Sequence, residues 1–84
     1  MSKIDDTLAA IGGAKDQLEG MLTAIGTAGQ EADEARDASA AAGVEASVEL
    51  LGQCKESLDK AADVSKSVSD ILDEATASAE AAKG

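Results

Sequence analysis

Two proline-free stretches of nearly forty residues each, both with apolar side chains at helical spacing, meet at one short segment, Asp37-Ala38-Ser39-Ala40-Ala41-Ala42-Gly43-Val44-Glu45. Few folds accommodate that layout. Glycine readily takes the left-handed conformation that closes a helix, and a glutamate two positions on suits the positive end of the next one. Gly43 therefore ends one arm and Glu45 opens the other. The pattern predicts an all-α, antiparallel two-helix hairpin of coiled-coil type. It forms one domain over residues 1–84, with arm one at 2–42, the tip at 40–45 and arm two at 44–82.

In the first arm, Ser2 followed three residues later by Asp5 has the form of a capping box, so a helix can begin almost at the terminus. Ile4, Ile11, Leu18, Ile25 and Ala32 recur every seven residues, with a parallel line of Ala14, Met21, Ala28, Ala35 and Ala42 and with Leu8 and Leu22 beside them. Lys15 and Arg36 interrupt the Leu8–Leu22 line, and large apolar residues stop at Ile25. Gly12, Gly13, Gly20, Gly26 and Gly29 each cost about 1 kcal/mol of helix propensity against alanine, and a kink is expected near Gly26–Gly29.

The second arm carries its stripe on Val44, Val48, Leu51, Cys54, Leu58, Ala61, Val68, Ile71, Leu72, Ala75 and Ala82, with Leu50 and Val64 at its margin. The lone Cys54 falls inside that stripe, where a thiol acts as a small apolar side chain, so it is assigned to the core and no internal disulfide forms. After Leu72 the side chains become small or charged, and the last turns are expected to fray.

If the chain folds back at Gly43, residue i should face roughly residue 86 minus i. That rule sets large against small: Ala35 meets Leu51, Ala28 meets Leu58, Ile25 meets Ala61, Ala14 meets Leu72 and Ile11 meets Ala75. Such alternation is what close interhelix packing requires. Two rods alone have little interior, however, and an isolated hairpin of this size is marginal. Leu22, Leu50, Val64 and Ile71 remain as candidates for an interface with a further protein, and Gly43 marks the tip. The chain is accordingly expected to work as a homo- or hetero-oligomer.

The absence of histidine and of every aromatic residue argues against ordinary acid–base chemistry, so no enzyme, catalytic residue or cofactor is expected. Glu31, Asp33, Glu34 and Asp37 lie one helical turn apart in pairs, but without the loop carbonyls of a cation site they are assigned to a solvated face, and no metal is expected. A net charge of -10 with scattered basic residues argues against nucleic acid as a partner. No window is apolar enough for a membrane span, and the acidic start Met1-Ser2-Lys3-Ile4-Asp5-Asp6 is unlike a signal peptide, so a cytoplasmic location is expected.

Two arms of about forty residues around a small-residue tip resemble the ESAT-6-like (WXG100) helical hairpins, in which a Trp-x-Gly tip corresponds here to Ala41-Ala42-Gly43-Val44. Ala-Ala-Gly-Val-Glu-Ala and the Leu72-Asp73-Glu74-Ala75 segment are also similar to small alanine-rich helical proteins of high-GC bacteria. The first resemblance implies a hairpin that pairs with a helical protein and is associated with a secretion system, leaderless export included. The residues themselves support three functions: an adaptor hairpin that binds itself or a larger helical protein, an acidic inhibitor or antitoxin-like protein that occupies a basic site, and a stress-related chain that folds on binding. Regular Ile and Leu spacing favours the first.

Overall fold

The first helix, α1 (Lys3–Ala41), begins where its serine permits. In the computed structural model, which describes residues 2–84, the extended Ser2 accepts a hydrogen bond on its hydroxyl from the Asp5 amide at 3.1 Å. α1 then runs without interruption to Ala41, and no break occurs through Gly26–Gly29. These glycines keep negative φ, and Gly29 is buried against the Lys55 side chain.

Backbone hydrogen bonds make the reversal. The Val44 amide donates to the Ser39 carbonyl at 2.9 Å and the Gly43 amide to the Ala40 carbonyl at 3.1 Å, the pair of bonds that defines a Schellman closure. Gly43 occupies the left-handed position with φ 74°. The second helix, α2 (Glu45–Lys83), starts at Val44 without a side-chain cap, and Glu45 places a carboxylate in its first turn. The result is an antiparallel rod of 63 × 17 × 11 Å.

Between the helices runs a seam whose members alternate three and four residues apart. Ile4, Leu8, Ile11, Lys15, Leu18, Leu22, Ile25, Gly29 and Ala32 of α1 meet Val48, Leu51, Lys55, Leu58, Ala62, Ser65, Ser69, Leu72, Thr76 and Ala79 of α2, all at least half-buried. The register agrees with the predicted fold-back: Lys15 bonds Asp73 and Lys83 bonds Asp5, with residue numbers summing to 88, and Gly29 lies against Lys55, summing to 84.

The faces, by contrast, are turned by about 50° from the predicted stripes, the angle between neighbouring heptad lines. Ala14, Met21, Ala28, Ala35 and Ala42 are exposed, as are Val44, Cys54, Val68, Ile71 and Ala82. Cys54 is therefore a surface thiol and not a core residue. The cause lies in the two residues that seemed to interrupt the first arm. Lys15 sits in the seam with its ammonium on Asp73, and Arg36 lies over Gly52, its guanidinium carbon 3.7 Å from where a side chain there would begin. Long basic side chains bury their stems and free their charged ends, so they belong to a seam that hydropathy alone would deny them.

The seam is thin. Among the described residues only Leu18, Gly29, Ala32 and Ser65 are buried, and no side chain is enclosed completely. Ser65, 3 % exposed, satisfies its hydroxyl on the Ala61 carbonyl at 2.8 Å, and Thr76 does the same on Leu72 at 2.9 Å. α2 stays helical to Lys83, where an ion pair to Asp5 at 2.9 Å holds the turn expected to fray.

Leu18→Ala should lower the unfolding free energy by about 2–3 kcal/mol in a urea titration, because Leu18 is the largest of the buried side chains among the described residues. Gly43→Ala should cost about 1–2 kcal/mol through its left-handed φ, and Gly43→Asn less.

Candidate protein-docking face

Turning the seam by one heptad line leaves the most apolar flank of each helix outside. On α2 the line beside the seam holds Cys54, Ala61, Val68 and Ala75, and the line beyond it holds Leu50, Ser57, Val64 and Ile71. On α1 the corresponding lines hold Ala14, Met21, Ala28 and Ala35, then Ala10, Gln17, Ala24, Glu31 and Ala38. In an antiparallel pair like flanks lie side by side, so these four lines form one continuous face. The opposite side of the rod fixes this assignment: there Lys15 meets Asp73, Lys83 meets Asp5 and Arg36 covers Gly52.

Large side chains stand in solvent on this face. Leu50 is 64 % exposed, Val64 63 %, Ile71 59 % and Met21 48 %. Among the described residues Lys3 and Glu31 are its only charged ones. Of the four residues left over from the sequence pairing, Leu50, Val64 and Ile71 lie on this face, whereas Leu22 is half-buried in the seam. Gly43 lies at the tip, beside the exposed Val44.

The other flank collects the acids. Asp5, Asp16, Glu19, Asp33 and Asp37 of α1 and Glu49, Glu56, Asp59, Asp63, Asp70, Asp73 and Glu80 of α2 all lie on the Lys15–Asp73 side, so the acids are segregated and not spread evenly around the rod. Lys15, Arg36, Lys55, Lys66 and Lys83 share that side and offset part of the charge. A groove of about 450 Å³ opens there between Leu22, Ile25, Gly26 and Gly29 and the Lys55–Leu58 turn, where the glycines present no side chain. Asp33 lies near Lys55, whereas Glu31 falls on the apolar face. Among the described residues no three of His, Cys, Asp or Glu converge as a metal set, and no helix is long and apolar enough to cross a membrane.

Ion pairs on this flank shift their partners' protonation. The Lys83 ammonium, followed by the Ser2 hydroxyl and amide, holds the Asp5 carboxyl below its ordinary 3.8. Asp73 raises the Lys15 ammonium above its ordinary 10.5, and Asp59, at 2.7 Å, does so for Lys55. The depressed Asp5 adds stability that is present above the ordinary carboxylate value and is lost as pH falls through its folded value. The raised lysines add stability that is present below 10.5 and is lost as pH climbs through their folded values.

Sequence reasoning missed Lys15, Gly29, Lys55, Ser65 and Thr76 as seam residues. The signal was present in the unbroken three–four spacing that runs through all of them, provided that residue type is set aside. Compared with protein-family models, with curated proteins and with solved structures, the chain has no match. The two-helix hairpin therefore stands as a fold without assignment to a family.

Lys83→Met should return the Asp5 carboxyl toward 3.8 in a carbon-detected NMR titration and leave the rest of the helical spectrum in place. An unchanged Asp5 titration would mean that the end-to-end ion pair does not form in solution.

Proposed function

We propose that this chain is a non-catalytic interaction module, whose working surface is the apolar face and whose partner is a helical protein surface. One observation carries this reading: Leu50, Val64 and Ile71 stand in solvent in one line while Ser65 is buried in the seam of the same helix. A helix that hides a serine and shows its aliphatic side chains is arranged for a second neighbour. The near absence of charge from that face, against the acids of the other, gives the contact a direction. Export as a hairpin cargo is a narrower form of the same reading, supported by the outline of two equal helices around a small-residue tip.

A second reading, in which the acidic flank occupies a basic site, is favoured by the segregation of the acids. The basic residues interleaved along that flank weaken it, because a competitor for a cationic groove gains from an undiluted acidic surface.

Photo-crosslinking residues placed at positions 64 and 71, and for comparison at 63 and 70, separate the two in living cells. Capture of protein from 64 and 71 but not from 63 and 70 is expected. The reverse pattern would transfer the function to the acidic flank, and no capture from any position would remove the interaction reading.

A further inference from the structure

We propose that the apolar face is covered by a second copy of this chain. The two copies would be related by a two-fold axis parallel to the rod, with both tips at one end and α1 of each hairpin lying on α2 of the other. The proposal rests on the reading of this face as a protein-contact surface and names the occupant.

Self-complementarity is the first argument. The α1 edge of the face is small, with Ala10, Ala24 and Ala38, and the α2 edge is bulky, with Leu50, Val64 and Ile71. Rotation about the long axis lays the small edge of one copy on the bulky edge of the other at unchanged height. The internal register, with residue numbers summing to 88, then sets Ala38 against the partner copy's Leu50, Ala24 against its Val64 and the longer Gln17 against its Ile71, so that two of the three bulky side chains meet alanine. The alternative axis, which puts the tips at opposite ends, lays α1 on α1 and α2 on α2, so that no aliphatic side chain of the α2 edge meets an alanine of the α1 edge.

Charge leads to the same partner. The chain carries -10, which would oppose pairing if it faced the contact, yet all its acids except Glu31 lie off this face and would point away from the dimer contact. Glu31 comes level with Ser57 of the other copy and meets no carboxylate. Every neighbouring pair of helices is antiparallel, so helix dipoles align favourably around the four-helix bundle.

The area suffices. A rod face of 63 × 17 Å offers about 1,000 Å² per copy, or about 2,000 Å² in all, the size of a stable specific interface.

Spin labels test the arrangement without touching the face. In a Cys54→Ser background, a label on Ala41→Cys at the exposed end of α1 reports the distance between tips. Pulsed dipolar spectroscopy should give under about 30 Å, the width of a bundle, whereas opposed tips would give about 50 Å or more at 1.5 Å per residue along the helix. Sedimentation should show a dimer that Val64→Glu weakens at least about 100-fold, by bringing a charge into an apolar contact, and that Asp63→Asn leaves intact. Long tip distances, or a chain that remains monomeric from micromolar to millimolar concentration, would overturn the inference. In the monomeric case, continued capture of a different protein from position 64 would leave the interaction reading standing and assign the face to that protein.

Discussion

Two long helices in contact along a single line have much surface and almost no inside, and each feature of this molecule answers to that. Without a single aromatic ring, the seam cannot gain burial from size, so it gains it from closeness. Alanine, serine and glycine at Ala32, Ala62, Ser65 and Gly29 let the helices approach, and the leucines at 18, 22, 51, 58 and 72 fill what remains. Stability is then spread over the whole length of the rod instead of being concentrated at a centre.

That spread explains the basic residues in the seam. A lysine stem is nearly as long as a methionine, and at Lys15 and Lys55 it covers the seam while its ammonium reaches an aspartate at the margin. Because these ends all emerge on one side, they draw Asp59, Asp73 and Asp5 to that side as partners. The rod becomes two-faced as a result: one flank is wet and charged, and the other is left to alanine and aliphatic side chains.

The hairpin, its turn and its register were legible from the sequence because they depend on local chemistry and arithmetic. Gly43 closes a helix wherever it stands, Ser2 caps one, and equal arms fix the level at which residues meet. The rotation of each helix about its own axis was not legible. Choosing between two adjacent heptad lines by hydropathy favours Met21, Val68 and Ile71 over Lys15, Gly29 and Ser65, and the seam contains the latter three. Hydropathy reports all the burial a helix expects, from every neighbour, and not the portion supplied by one partner. The same residues that misdirected the seam became the candidate site, and Cys54 moved from core to surface with them.

The ion pair between Asp5 and Lys83 brings the two outer ends of the helices together, one rod length from the turn at Gly43. This sets how the molecule carries a load. A pull applied across residues 5 and 83 opens the seam from that end, one layer at a time, beginning with the ion pair, so that only the contacts at the opening fork resist. A pull between the turn and either end runs along a single helix, is borne by that helix's own backbone hydrogen bonds and leaves the seam unloaded. The same fold is thus a weak zipper in one direction and a stiff strut in the other, and its mechanical role depends on where its neighbours are attached.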